Sequence, residues 1–142
     1  MPIKVFLDAN ILLDFTLKRK EYASAKALIK LGIDSLIQLH ITPSVLHITA
    51  YWVSKSYGLD KAKELLPALL NDIRLIDCDH ATALMAINSK MTDIEDALQY
   101  YTALKYNMSY FISSDKKLKK EAMPQLPVYT AAYFVKEFKS GL

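Results

Sequence analysis

Five acidic side chains lie near the ends of predicted strands or in the helix between them: Asp8, Asp93, Glu95, Asp96 and Asp115. Asp8 directly follows the apolar run 3–7, and Asp115 closely follows the run 108–112. If these runs are parallel strands, the acids share one sheet edge and raise one another's pKa unless a cation is present. Oxygen ligands suit Mg²⁺ or Mn²⁺, which activate water and offset the charge that builds on a phosphodiester during hydrolysis.

Each of these acids also has a purely structural interpretation. Asp8 and Asp115 suit strand-ending turns or helix N-caps. Thr92 and Glu95 match a T-x-x-E capping box, which favours a cap rather than a ligand at Glu95. The sequence around Asp93 leaves a metal ligand and a helix-dipole partner equally open.

Asp93 and Asp96 are three residues apart and therefore share a helix face, where either complements the helix dipole. Asp14 lies more than one helical turn beyond the first strand and is predicted to be a solvated acid. Cys78, the single cysteine, is predicted to be buried. Asp79 is expected to be the N-cap of a helix, which makes the surrounding acidic cluster structural.

Short apolar runs alternate with helical periodicity along the whole chain. The predicted strands are 3–7, 36–41, 73–76, 108–112 and 128–129. Asn10 is the predicted N-cap of the first helix, Gly32 ends the second, and Thr42 opens the third. No Asn-Gly hairpin signal separates adjacent runs, so the pattern predicts an α/β domain with a mainly parallel sheet of four to five strands.

The composition predicts a single globular domain over residues 1–142. Apolar residues make up 52% and charged residues 23%, with only three Gly and five Pro, which excludes disorder and Gly-rich linkers. The net charge of +3 is compatible with a nucleic-acid partner without requiring one. The lone cysteine and the absence of a secretory or membrane-spanning pattern predict a cytoplasmic protein with no membrane partner.

Three motifs occur in order along the chain: VFLDANILLD at 5–14, TDIEDALQY at 92–100 and YFISSDKK at 110–117. Together they resemble the signatures of PIN-domain nucleases, in particular the VapC-like toxin ribonucleases. The resemblance extends over the late strand and the final helix. It implies a three-layer α/β/α fold and a metal-dependent endoribonuclease, the toxin of a toxin–antitoxin pair. RNA, an antitoxin and a second copy of the chain are the implied partners.

The resemblance also implies roles for individual residues. Asp8, Asp96 and Asp115 would be catalytic and would hold Mg²⁺ or Mn²⁺, with Asp93 as an auxiliary acid. Asn10 and Ser113 would support the carboxylates by hydrogen bonds. Lys116 and Lys117 would steer RNA phosphates.

The chain departs from the family pattern in the helix after the second strand. The family supplies a Glu five residues beyond the Ser that starts this helix, and the count from Ser44 reaches Thr49. Thr49 offers only a neutral hydroxyl, so the site loses one negative charge. This departure leaves open a degenerate PIN domain that binds RNA or a protein without efficient cleavage.

Two other enzyme classes also use a strand-ending Asp, and both fit less well. Haloacid-dehalogenase-type phosphotransferases need a second Asp two residues later, where this chain has Asn10. Response-regulator receivers need an acidic pair after the first strand and a phosphorylated Asp at the end of the third. The chain offers only Asp77 and Asp79 there.

Overall fold

The computed structural model describes residues 2–141. Within them a central sheet has five strands, all parallel, in the order β3-β2-β1-β4-β5. The strands are β1 (Ile3–Leu7), β2 (Ile37–Ile41), β3 (Ile73–Leu75), β4 (Tyr110–Ile112) and β5 (Val128–Tyr129). The predicted parallel sheet is confirmed. β1 lies at its centre, which explains why its run is almost uniformly apolar.

Eight helices are present in the described residues. They are α1 (Ala9–Thr16), α2 (Tyr22–Ile33), α3 (Pro43–Tyr57), α4 (Leu59–Leu70), α5 (His80–Ile87), α6 (Ile94–Lys105), α7 (Lys116–Glu121) and α8 (Ala131–Lys139). None of these helices is long and apolar enough to cross a membrane.

Two neighbouring aromatic residues of β4 show how the helices are layered. Tyr110 and Phe111 point to opposite faces of the sheet because side chains alternate along a strand. The Tyr110 ring packs on Phe134 of α8, with centroids 5.3 Å apart, and the Phe111 ring packs on Tyr100 of α6 at 5.7 Å. Helix α2 packs against α8 on the first face. The sheet therefore has helices on both sides, which confirms the three-layer α/β/α architecture.

Gly32 lies inside α2 and does not end it, so the predicted C-cap is wrong. A Cβ at Gly32 would lie 2.4 Å from Cδ1 of Leu39 in β2, a distance that no packed side chain tolerates. The glycine is required there for the close approach of helix and sheet. The helix continues to Ile33 and ends at its C-cap Asp34.

The starts of α1 and α6 also differ from the sequence prediction. Helix α1 begins at Ala9 with Asp8 as its N-cap, so Asn10 lies in the first turn and is not the cap. Asp93 is the N-cap of α6, which removes the predicted capping box of Thr92 and Glu95. Both corrections move an acid of the candidate site onto a helix boundary.

Helix α6 is anchored by a fully buried tyrosine. The Tyr100 hydroxyl donates to the Leu126 carbonyl at 2.6 Å and accepts from the Met123 N–H at 2.7 Å. Because Tyr100 is one helical turn beyond Asp96, these bonds also fix the position of the acidic first turn of α6.

The segment before α5 follows the prediction in part. Asp79 is the N-cap of α5, where its carboxylate accepts from the Thr82 N–H at 2.8 Å, and it also pairs with Lys105 of α6. Cys78 is only partly buried, so the predicted burial of the thiol is wrong.

Candidate active site

One pocket of about 710 Å³ lies beyond the carboxyl ends of β1 and β4. Its lining includes all five acids singled out in the sequence: Asp8, Asp93, Glu95, Asp96 and Asp115. Asp8 comes from the end of β1, the next three come from the start of α6, and Asp115 from the turn after β4. The parallel pairing of β1 with β4 brings the first and last of these together although they are far apart in sequence.

Asp8 is held by the neighbouring strand. Its backbone N–H donates to the Ile112 carbonyl at 3.0 Å, and the Ser113 hydroxyl donates to its Oδ2 at 2.9 Å. Burial raises the pKa of the Asp8 carboxyl, and the Ser113 hydrogen bond only partly opposes that effect. Ser113 is 2% exposed, and its oxygen also accepts from the Asp115 N–H at 3.1 Å. One buried hydroxyl thus connects Asp8 to the turn that carries Asp115.

Asp115 is the N-cap of α7. Its Oδ1 accepts from the Lys117 N–H at 2.9 Å and from the Leu118 N–H at 3.3 Å. The side chains of Lys116 and Lys117 are exposed at the start of this helix. In the part of the chain that the structure describes, neither lysine lines the acidic pocket.

Asp93 and Asp96 are adjacent in the first turn of α6. The Asp96 N–H donates to Oδ1 of Asp93 at 2.9 Å, the usual bond of an N-cap. Partial burial, followed by repulsion from Asp93 and then Asp8, raises the pKa of Asp96 to about 7. Burial and the neighbouring carboxylates therefore favour the neutral, protonated form of Asp96.

The donor set of the pocket fits a hard divalent cation. Its carboxylates are oxygen ligands, and a cation would relieve the repulsion that raises the pKa of Asp96. One oxygen of Asp8, Asp93 and Asp115 is held by a hydrogen bond within the protein. Among residues 2–141, however, no three His, Cys, Asp or Glu side chains already converge as a metal cage. Binding therefore requires these carboxylates to turn towards the ion.

Helix α3 forms the opposite wall, and it differs from the sequence expectation. Thr49 is fully buried, and its hydroxyl donates to the Val45 carbonyl at 2.8 Å. The predicted neutral hydroxyl at the site is therefore absent, because Thr49 faces the core. The α3 residues that line the pocket are Ile48, Trp52 and Ser56, spaced by four along the helix. The wall that lacks an acid is thus apolar and aromatic.

An ion pair at the pocket rim was missed by the sequence analysis. Asp14 is 8% exposed and not solvated as predicted, since Arg19 Nε donates to its Oδ1 at 2.9 Å. Arg19 Nη2 also donates to Oδ1 of Asn10 at 3.2 Å. The expected role of Asn10 was to orient the carboxylates, whereas this oxygen accepts from an arginine. Arg19 itself lines the acidic pocket.

A chain reversal after α1 creates this contact. Lys18 adopts a φ of 51°, and the Arg19 N–H donates to the Asp14 carbonyl at 3.1 Å. This is a Schellman turn with lysine where glycine is more common. The turn sends the Arg19 side chain back along α1 towards the strand ends. An arginine five residues after a helical acid was the only available sequence signal.

The comparisons with known proteins agree with this architecture. A family model described as PIN domain matches residues 4–117, from β1 into α7. The match covers most of the chain, so the chain belongs to the PIN-domain family. PIN-domain nucleases are generally dependent on divalent metal ions.

Particular relatives point to the VapC branch of the family. Ribonuclease VapC1 of Aquifex aeolicus (strain VF5) is 27% identical over 143 residues, with 96% of each chain covered. The solved structure of VapBC2 from Rickettsia felis, bound to a DNA fragment from their promoter, aligns with a TM-score of 0.66 at 22% identity, over 90% of this chain and 98% of that one. A toxin–antitoxin complex from Klebsiella pneumoniae gives a TM-score of 0.66 at 18% identity, over 89% and 97%. At these identities the two structures show the fold alone.

Proposed function

We propose that this protein is a metal-dependent endoribonuclease that hydrolyses RNA phosphodiesters. The observation that carries the proposal is the gathering of Asp8, Asp96 and Asp115 in one pocket, where burial and then the neighbouring carboxylates raise the pKa of Asp96 to about 7. Membership of the PIN-domain family and similarity to a protein named Ribonuclease VapC1 support the same reaction class.

In this proposal the acids divide the work. Asp8, Asp96 and Asp115 would hold Mg²⁺ or Mn²⁺, and Asp93 would be an auxiliary acid in the same turn as Asp96. A divalent ion held there would supply activation of a water and would offset charge on the departing oxygen. Ser113 holds Asp8 in place through the 2.9 Å hydrogen bond to its Oδ2, so that the other oxygen remains available.

The remaining predicted residues act around the acids. The Asn10 side chain accepts from Arg19 and thereby supports the pocket rim. Lys116 and Lys117 are exposed beside Asp115, where their charge attracts RNA phosphates without contact inside the pocket.

A cleavage assay tests the reaction. The wild type is incubated with a pool of structured RNAs in Mg²⁺, in Mn²⁺ and in EDTA, together with Asp8→Asn and Asp96→Asn. We expect metal-dependent products from the wild type and none from Asp8→Asn or Asp96→Asn. Asp72→Asn is a matched control, because Asp72 is exposed and does not line this pocket. Equal cleavage by the wild type and Asp8→Asn would rule out the mechanism.

A second candidate function rests on the wall formed by α3. Ile48 lines the pocket and Thr49 is buried, so this helix contributes no acid. The alternative is a degenerate PIN domain that binds RNA or a protein partner without efficient cleavage. Calorimetric titration with Mn²⁺ separates the two, because the degenerate domain would show no binding in the millimolar range.

The relatives also support a proposal for the biological setting. We infer a toxin with a cognate antitoxin, because the similar proteins include a VapC ribonuclease and toxin–antitoxin complexes. The resemblance to the family further implies a cytoplasmic location and a homodimer. A small antitoxin gene beside this one, whose product relieves growth arrest on co-expression, would support the pairing. Sedimentation of the purified chain measures whether it forms a dimer.

A further inference from the structure

Trp52, the one tryptophan of the chain, lies on the wall of the acidic pocket with a large part of its ring in solvent. Its side chain is 43% exposed, although tryptophan usually contributes more by burial than any other residue. The neighbouring Tyr51 ring packs edge-on against it, with centroids 5.2 Å apart and an interplanar angle of 89°. The Tyr51 ring supports the indole, and Trp52 stays partly exposed where it lines the pocket.

One cation lies over the indole, and another lines the same pocket. Among the residues described, Arg19 is the only cation that lines the pocket. The Lys55 ammonium lies 5.4 Å from the indole centroid. An RNA phosphate that enters an acidic pocket needs such compensation before a metal is bound.

The Arg19 guanidinium is held in a defined orientation. Its Nε is occupied by Asp14 and its Nη2 by Asn10. In the described part of the chain, Nη1 makes no hydrogen bond, so its two N–H groups remain for a ligand. A guanidinium oriented by a buried carboxylate is a suitable donor for phosphate oxygens, because the fork geometry matches them.

We propose that Trp52 and Arg19 form a nucleotide subsite for unpaired RNA on the rim of the acidic pocket. The base stacks on the indole, and the adjoining phosphate contacts the guanidinium, which holds the chain for the carboxylates opposite. This subsite rests on the proposed function, to which it adds two substrate-binding residues. Only an unpaired base can place its face on an aromatic side chain, so the subsite selects single-stranded segments and loops.

The wall carries no acid that would repel the RNA. Ile48 and Ser56 are the other α3 residues that line the pocket, and both are uncharged. The pocket thus divides into a carboxylate wall from β1, β4 and α6, and an aromatic and cationic wall from α1, α3 and the turn between α1 and α2. A stacked nucleotide lies on the second wall and faces the first.

Tryptophan fluorescence tests the subsite directly. The probe is a short mixed-sequence single-stranded RNA, added in EDTA to the wild type and to Asp8→Asn so that no cleavage occurs. Because Trp52 is the single tryptophan of the chain, a base that stacks on it should quench and shift the tryptophan fluorescence. The duplex of the same strand with its complement should bind with little effect on emission. Unchanged emission while anisotropy of a labelled RNA shows saturation would overturn the subsite and favour a protein partner for this wall.

A pair of variants measures the contribution of the indole. Trp52→Leu should weaken single-strand binding about tenfold, as expected for the loss of one stacked base. Tyr133→Leu is the matched control, because Tyr133 is a similarly exposed aromatic residue of α8 that does not line the pocket. Equal losses in the two variants would contradict the assignment.

The role of Arg19 is tested by the salt dependence of binding. Arg19→Gln should reduce the slope of log Kd against log salt by about one, as one phosphate contact is lost. Lys63→Gln, an exposed lysine of α4, is the control. If Arg19→Gln does not fold because Asp14 is left unpaired, the double variant with Asp14→Asn removes both charges and gives the same readout. An unchanged slope in the folded variant would overturn the phosphate contact.

These measurements separate the subsite from the proposed reaction. Quenching by single-stranded RNA without cleavage in Mg²⁺ or Mn²⁺ would support the subsite and remove the ribonuclease function. Metal-dependent cleavage without quenching would support the ribonuclease function and overturn the subsite.

Discussion

The two walls of the acidic pocket are built on opposite electrostatic terms. On one wall, the pKa values of Asp8 and Asp96 are raised, because burial and then repulsion from neighbouring carboxylates disfavour their charged forms. On the other, Arg19 lines the pocket and is paired at 2.9 Å with Asp14, an acid that does not line it. In our proposal the acids of the first wall hold a cation, whereas Asp14 orients an arginine. This contrast separates the residues proposed for chemistry from those proposed for recognition.

The largest expected effect is on the carboxylate wall. Asp8→Asn should lower kcat for RNA cleavage by about 100-fold or more, because a direct ligand contributes at least as much as the outer-shell partners of metal sites. Ser113→Ala, which removes the hydroxyl that holds Asp8, should lower it by a smaller factor. Single-turnover cleavage at saturating Mn²⁺ measures both. A Ser113→Ala loss that exceeds the Asp8→Asn loss would contradict the assigned roles.

The next largest expected effect comes from breaking the ion pair of Arg19 on the aromatic and cationic wall. Arg19→Met leaves Asp14, which is 8% exposed, without its cation and should cost about 2 kcal/mol of unfolding free energy. The control is Lys30→Met, whose exposed pair with Asp34 should contribute less than about 0.5 kcal/mol. Urea denaturation followed by circular dichroism compares the two. Similar costs would show that the Asp14 pair is no more than a surface contact.

An acid can be moved onto the wall that lacks one. Ile48→Glu places a carboxylate at a pocket position and should tighten Mn²⁺ binding about tenfold, since affinity rises with ligand charge. Thr49→Glu should not, because position 49 is fully buried and the variant would place a charge in the core. Isothermal titration with Mn²⁺ measures the difference. Tighter binding by Thr49→Glu alone would restore the register expected from the sequence.

The smallest effect is on the stability of the metal-free protein. The pKa of Asp96 is raised from 3.8 to about 7, so the native state binds the proton more tightly than the unfolded chain. The contribution of Asp96 to the free energy of unfolding is therefore most favourable below pH 3.8, and it is lost as the pH rises towards about 7. Asp96→Asn should be more stable than the wild type at pH 8, by about 1 kcal/mol after allowance for solvent screening.

This gain should vanish near pH 4, where both proteins are neutral at position 96. Thermal unfolding in EDTA at several pH values measures it. A gain that is independent of pH would show that the cost does not come from the charge on Asp96. Added Mn²⁺ should stabilise the wild type and reverse the order at pH 8.

Much of the fold could be predicted from local pattern. The bounds of β1 and β5 agree with the prediction, because a central parallel strand is a continuous apolar run and Asp8 ends it sharply. The end of helix α2 was harder to predict, because Gly32 resembles a helix C-cap in the sequence. Its real role depends on Leu39 of the adjacent strand, a contact that no local window contains.

The candidate site divides in the same way. The acids of the carboxylate wall lie at strand ends and in the first turn of a helix, positions that can be predicted from the sequence. Parallel pairing of β1 with β4 brings Asp8 and Asp115 to one edge of the sheet. Position 49 was assigned to the site by a residue count, whereas the rotation of α3 presents Ile48 to the pocket. A count along a helix cannot settle this, because one residue changes the facing direction by about 100°.

The sequence by itself determined the order of strands and helices and the acids that end the strands, because apolar periodicity and polar breaks are local properties. Tertiary structure alone decided that Asp14 is buried and paired, that Arg19 turns back to the pocket, and that Trp52 borders the acids. These contacts depend on a left-handed turn at Lys18 and on how α3 rotates against the sheet. Both are set by packing between segments, which no single stretch of the chain specifies.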